Sequence, residues 1–117
     1  MKLVVAIIRP DKLEAVQQAL NERDVYLMTV SDVRGCGRQR GYTEVYRGTE
    51  IKVRLPPKLK LEIAVTEPFV EATVEAIVHA ARTPETGQVG DGKIFVLPLE
   101  DCVRIRTGER GSDAIGP

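Results

Sequence analysis

The sequence predicts an α+β fold of the ferredoxin-like βαββαβ kind, an antiparallel sheet with both helices on one face. Three observations carry that expectation. The chain opens on a continuous apolar run from Leu3 to Ile8, closed by Arg9-Pro10. Leu59, Leu61, Ile63 and Val65 alternate with Lys60, Glu62 and Ala64, the clearest period-two run in the chain. Two further stretches repeat apolar residues at helical spacing, one after each of these runs.

Taken in order, Leu3 to Ile8 is β-branched and apolar throughout, which suits a buried strand, and Arg9-Pro10 ends it because a residue before proline avoids helical geometry. Pro10 is tolerated in a first helical turn and Asp11 suits the positive end of the helix dipole. Leu13, Val16 and Leu20 then recur at helical spacing, so a helix is expected to about Glu22. Val25 to Val33 is rich in Val, Thr and Met, with Met28 and Val30 alternating with Thr29 and Ser31, and predicts a second strand. Leu59 to Val65 is the third. After Pro68, the stripe Val70, Val74, Ile77, Val78 and Ala81 predicts a second helix ending near Arg82. Lys93 to Leu97 gives a fourth strand. Beyond Pro98, Val103 and Ile105 alternate with Arg104 and Arg106 as a short fifth one. The Gly-rich, polar tail from Thr107 to Pro117 is expected to be mobile unless a ligand or partner subunit holds it.

Composition narrows the function. At 117 residues and 43% hydrophobic, the chain has room for one domain with a real core. Seventeen Lys and Arg balance 17 Asp and Glu, so no global field draws it to nucleic acid or an anionic membrane, and any anion site is local. With no Trp and 4% aromatic residues, the core rests on Val, Ile, Leu and Ala, and burial between subunits would help so small a domain. Cys36 and Cys102 lack metal or redox spacing and read as reduced thiols. The N-terminal apolar run is too short for a signal core or a membrane span, which points to a cytoplasmic protein. His79, the one histidine, has no second metal ligand in sequence reach and reads as helix surface.

Three segments carry chemistry. The connection from Arg34 to Lys58 is far longer than a tight turn, and such loops are usually functional or disordered. Its cations Arg34, Arg38, Arg40, Arg47, Lys52, Arg54 and Lys58 face only Glu44 and Glu50. That concentration favours an anion or an acidic partner; a long solvated hairpin whose charges guard an exposed edge is the alternative. Thr86-Gly87-Gln88-Val89-Gly90-Asp91-Gly92-Lys93 offers glycine amides and a lysine suited to phosphate, although the spacing is neither that of a P-loop nor that of a dinucleotide turn, and a plain turn reads equally well. Val103-Arg104-Ile105-Arg106, read as a strand, sets two guanidiniums on one face, fit for a polyphosphate or for solvated carboxylates.

On these residues the chain resembles the PII signal-transduction family, from Ala6-Ile7-Ile8-Arg9-Pro10 to Arg104-Ile105-Arg106-Thr107-Gly108. The most diagnostic runs are Gly35-Cys36-Gly37-Arg38-Gln39-Arg40-Gly41 with Tyr46-Arg47-Gly48, similar to the start of the family's T-loop, and Thr86 through Val96, similar to its B-loop. The resemblance implies a single PII-type domain over residues 1–117, with the T-loop at about 37–55, the B-loop at about 82–93 and a C-terminal segment at about 102–117. It implies a homotrimer holding ATP or ADP in the clefts between subunits, with 2-oxoglutarate beside ATP through a shared Mg²⁺. Carried over by position, the nucleotide contacts are Ile7, Thr29, Gly35, Gly37, Arg38, Gln39, Glu62 and Ala64 from one side, with Gly90, Asp91, Gly92, Lys93, Arg104 and Arg106. Gln39 would ligate Mg²⁺ and Lys58 would pair with a 2-oxoglutarate carboxylate. The resemblance further implies a regulator, not an enzyme, that controls targets such as an ammonium channel or nitrogen-metabolism enzymes through the T-loop, with Arg47 at its tip.

The chain departs from the family pattern in places. Ile51 stands where many members carry the uridylylated tyrosine, so control by effectors without uridylylation is expected, Tyr42 and Tyr46 lying elsewhere. Arg82-Thr83-Pro84-Glu85-Thr86 is longer than the usual spacing before the B-loop, Cys36 replaces a common Phe, and Leu27 a common Gly near the adenine pocket. Two alternatives compete: a PII-like adenine-nucleotide sensor that has lost the 2-oxoglutarate response, and a ferredoxin-like phosphotransferase. The latter needs a nucleophile or base beside the phosphates, and no His, Cys or carboxylate pair marks one.

Overall fold

In the computed structural model, which describes residues 1–37, 42–46, 48–53 and 55–116, four strands form one antiparallel sheet. Strand β1 (Lys2–Ile8) lies inside it, paired with β5 (Pro57–Val65) from Lys2↔Val65 to Ile8↔Leu59 and with β6 (Gly92–Pro98) from Lys2↔Pro98 to Ile8↔Gly92. Strand β2 (Thr29–Arg34) adds to the far side of β5, with Thr29 opposite Glu62 and Arg34 opposite Pro57. The order β2-β5-β1-β6 is the ferredoxin-like one that the element sequence predicts.

Helices α1 (Leu13–Asn21) and α2 (Val70–Ala81) pack on each other, and α2 packs on β1. Both follow a short 3-10 turn with a proline in its first two positions, Pro10–Lys12 and Glu67–Phe69. The pleat sends Val4, Ala6 and Ile8 of β1 and Leu61, Ile63 and Val65 of β5 into the core with Val16, Leu20, Ala76 and Ile77. Leu3, Val5 and Ile7 are also apolar but only half-buried, because the helices cover one face alone. Beside them on β6, opposite Val5 and Leu3, Phe95 and Leu97 are 50% and 44% exposed.

Four details differ from the sequence expectation. The second strand begins at Thr29, not Val25, because Val25 closes the end of α1: its N–H donates to the Leu20 carbonyl at 3.0 Å after Asp24 turns at φ 61°, and its side chain is buried in the core. The buried stripe of α2 is centred on Thr73, Ala76, Ile77 and Ala81, leaving Val78 exposed. Thr73 tolerates burial because its hydroxyl donates to the Phe69 carbonyl at 2.7 Å. The long connection contains a hairpin, β3 (Tyr42–Tyr46) against β4 (Thr49–Val53), in register from Tyr42↔Val53 to Tyr46↔Thr49.

The fourth difference lies at the C-terminal end, where the expected fifth strand shrinks to one bridge, Val103↔Arg110. The Arg104 carbonyl accepts the Gly108 N–H at 2.7 Å, so the chain turns back before a strand can extend. Alternation of Val103 and Ile105 therefore marks no sheet, and Ile105 is fully exposed. Nor is the tail loose over its described length: residues Ser112–Ile115 form a short helix, α3, and Ile115 is buried. Asp101 holds its start, accepting the Cys102 N–H at 2.8 Å, the Gly111 N–H at 3.2 Å and an Arg110 N–H at 2.7 Å.

Candidate anion cleft at the root of the long loop

The β2-to-loop passage, the start of β5, the end of β1 and the loop before β6 meet around a cleft of about 630 Å³. Sheet register explains the meeting: Ile7 is opposite both Lys60 and Lys93, Ile8 is opposite both Leu59 and Gly92, and Val33 is opposite Lys58. Seven of the residues assigned by resemblance to the nucleotide, Ile7, Gly35, Gly37, Gly90, Asp91, Gly92 and Lys93, line this cleft together with Lys58. Arg34, Cys36, Gln88, Val89 and Phe95 also line it.

Close approach of backbones shapes the wall. Gly92 adopts φ +113°, and a Cβ there would stand 1.7 Å from the Ile7 carbonyl oxygen. Only glycine lets β6 start this near β1.

The loop before β6 is organised around its own acid. One Asp91 oxygen, Oδ2, accepts the Thr83 and Gln88 backbone N–H groups, each at 2.9 Å. The other, Oδ1, accepts the Thr83 hydroxyl and Arg9 Nε, the latter at 3.0 Å. Burial acts to raise the Asp91 carboxyl, but the Thr83 hydroxyl, the two backbone donors and the Arg9 guanidinium outweigh it and hold the group well below the usual carboxylate range. Arg9 also donates to the Val89 carbonyl at 3.0 Å.

Lys58 is 8% exposed, and its ammonium donates to the Gly90 carbonyl at 2.7 Å. Burial, and then the nearby Arg9 charge, push its pKa below the ordinary lysine value, with Asp91 opposing. The lining thus carries Arg34, Lys58 and Lys93 against a single carboxylate, Asp91, already neutralised from behind by Arg9. Among the described residues, this is a cationic, glycine-walled cleft suited to an anion of several charges.

The remaining assigned residues lie apart. Thr29, Glu62 and Ala64 share the open sheet face, farther along the strands, with Thr29 opposite Glu62 and Ala64 opposite Leu3. Arg104 and Arg106 belong to the C-terminal turn, and they do not share a strand face as the alternation predicts. The Arg104 guanidinium donates to Glu109 Oε1 at 2.7 Å and to the Asp113 and Ala114 carbonyls at 2.9 and 3.4 Å. Arg38 and Gln39, with Arg40, Gly41, Arg47 and Arg54, lie outside the described residues. Sequence reasoning missed Arg9 and Thr83 as builders of the cleft. Arg9 reads in sequence only as a strand stop, and the placement of Thr83 near Asp91 depends on tertiary structure. Cys36 and Cys102 are free thiols, and His79 is exposed. No helix among the described residues is long and apolar enough to cross a membrane.

Residues 1–109 match the family model described as Nitrogen regulatory protein P-II. The Nitrogen regulatory protein P-II of Rhizobium etli is 53% identical over 115 residues, spanning 98% of this chain and 100% of the relative. That of Azospirillum brasilense is 51% identical with the same coverage. The Nitrogen regulatory protein GlnK1 of Methanosarcina mazei is 51% identical over 98% of this chain and 97% of its own length.

Proposed function

The chain belongs to the Nitrogen regulatory protein P-II family and is a nitrogen signal-transduction regulator acting on target proteins, not an enzyme; from that premise we propose that it senses ATP and ADP and, with Mg-ATP, 2-oxoglutarate. The observation that carries the nucleotide reading is the cationic cleft, in which Lys58 and Lys93 stand beside glycine backbone and the one lining acid is already neutralised. A nucleotide polyphosphate supplies the missing negative charge.

In this reading the cleft is half of the site. Thr29, Glu62, Ala64, Arg104 and Arg106 are not among the residues that line it in the single chain, so in the homotrimer that the family resemblance implies a neighbouring copy would supply its second wall. The open sheet face with half-exposed Phe95 and Leu97 favours such an assembly, since packing it against other copies would bury that apolar surface. Mg²⁺ would be held by phosphate oxygens and Gln39, which suits an ion that takes few protein ligands and keeps its substrate phosphates. Asp91 is fully engaged and would not compete for it. Lys58 would exchange the Gly90 carbonyl for a 2-oxoglutarate carboxylate. The hairpin Tyr42–Val53 would be the T-loop that meets targets such as an ammonium channel or nitrogen-metabolism enzymes in the cytoplasm, with Arg47 leading and no uridylylation at Ile51.

One observation favours a narrower second reading. Lys58 is buried and bonded to Gly90, and a lysine so placed can serve structure alone, which leaves an adenine-nucleotide sensor without keto-acid response. Calorimetric titration with ATP and ADP, then with 2-oxoglutarate in the presence and absence of Mg-ATP, separates the two. Binding of 2-oxoglutarate only with Mg-ATP supports the full sensor; nucleotide binding alone selects the narrower reading; no nucleotide binding by a trimer verified by light scattering rejects both.

A further inference from the structure

We propose that Asp91 and Thr83 are positioning residues that shape the phosphate side of the cleft without touching the nucleotide, and that Pro84, Glu85 and Thr86 sit in a turn between Thr83 and Gly87, outside the clamp. The proposal rests on the nucleotide reading above. Asp91 receives four hydrogen bonds, from the Thr83 N–H and hydroxyl, the Gln88 N–H and Arg9. A carboxylate has about four acceptor positions, so none is left for a ligand. Its negative charge would in any case repel a phosphate. What the carboxylate does is close residues 83–91 on themselves and, through Arg9 and its bond to Val89, tie that closure to the end of β1. Gly90 is then held from the other side by Lys58. The loop reaches Gly92 and Lys93 with its course set from three directions.

Two threonines compete for the role of anchor. Thr86 sits in the run that resembles the family's B-loop, yet the hydroxyl that meets Asp91 is that of Thr83. Gly87, at φ +85°, donates its N–H to the Thr83 carbonyl at 2.8 Å and so closes a turn containing Pro84, Glu85 and Thr86. The bonds that fix the loop fall at 83 and from 87 to 91, so Pro84, Glu85 and Thr86 lie outside the clamp.

The test titrates ATP into the trimeric wild type, Thr83→Val, Thr83→Ser, Thr86→Val and Asp91→Asn, with hydrogen exchange of residues 87–92 followed in each. Loss of one hydroxyl bond in Thr83→Val is expected to weaken ATP by about 2- to 12-fold and to speed exchange in the loop, Thr83→Ser to restore both, and Thr86→Val to change neither. Asp91→Asn is expected to lose on the order of tenfold or more. A folded, trimeric Thr83→Val that binds ATP like the wild type, or a loss that follows Thr86 instead, overturns the assignment. Should Asp91→Asn fail to assemble, the Thr83 Val and Ser pair decides. Should the wild type bind no ATP, the nucleotide reading falls with the proposed consequence, and the exchange data still judge the clamp: unchanged exchange in Thr83→Val refutes it.

Discussion

Gly92→Ala is the sharpest probe of how the cleft is built. The added Cβ would stand 1.7 Å from the Ile7 carbonyl oxygen and 2.8 Å from its carbon. Carbon and carbonyl oxygen rest no closer than roughly 3.3 Å, so β6 and β1 would have to part by about 1.6 Å at this end. Neither side can yield cheaply, because both atoms at risk are backbone in a paired ladder, Ile8↔Gly92 and Ile7↔Lys93. An alanine at φ +113° adds about 1–2 kcal/mol of local strain. Loosening one or two ladder hydrogen bonds adds about 1 kcal/mol each. The sum is about 3 kcal/mol, with Lys93 displaced from the cleft at the same time. Urea unfolding at matched protomer concentration measures the first effect and ATP titration the second. An alanine variant within about 1 kcal/mol of wild type, binding ATP normally, would refute the reasoning.

Three further outcomes are expected. Asp91 has a folded-state pKa below its ordinary 3.8, so its stabilisation is complete above that value and drains away as pH falls through it toward the folded-state pKa. The stability gap between wild type and Asp91→Asn, about 2–3 kcal/mol at neutral pH, should therefore narrow between about pH 5 and about pH 2, with Arg9 and Lys58 charged throughout; a constant gap contradicts this. Lys58→Met replaces a buried charge by an apolar chain of similar length and should leave stability within about 1 kcal/mol, while the 2-oxoglutarate heat expected of the wild type with Mg-ATP should be absent. Glu109→Gln weakens a half-exposed pair and frees Arg104, so ATP should bind about 1.4- to 5-fold tighter by titration; weaker binding would show that Glu109 aims the guanidinium instead.

Much of this architecture can be read from the chain because its strands and helices obey local rules. The alternation of Leu59, Leu61, Ile63 and Val65 survives in the structure since that strand has one covered face and one open face. The continuous run at Leu3 to Ile8 reads as buried on both sides, and half of that burial is missing in one chain. Where local pattern misled, a tertiary demand had replaced it. Val25 looks like the start of a strand and is spent capping α1; Val103 and Ile105 alternate, yet Ile105 already lies in the turn that the Gly108 N–H closes on the Arg104 carbonyl. The glycines and lysines of the cleft stand out as punctuation and charge. Arg9 and Thr83 do not, because they act by meeting Asp91 across 82 and 8 residues of sequence, and no periodicity encodes that meeting.

The two cations central to the proposed site share one property. Lys58 is already bonded to the Gly90 carbonyl, and Arg104 to Glu109 and two tail carbonyls. Binding an anion at either would therefore be an exchange of partners, not the filling of an unmet need. An exchanged hydrogen bond contributes only the difference between old and new partners, so affinity is tempered compared with a bare guanidinium or ammonium. The exchange also has a structural consequence that simple binding lacks. Lys58 leaving Gly90 would remove one tie on the loop before β6, and Arg104 leaving Glu109 would remove one tie on the C-terminal turn. A ligand that recruits either cation thereby favours one backbone arrangement over another by its differential affinity, which is the thermodynamic requirement for a sensor whose message must reach a second protein.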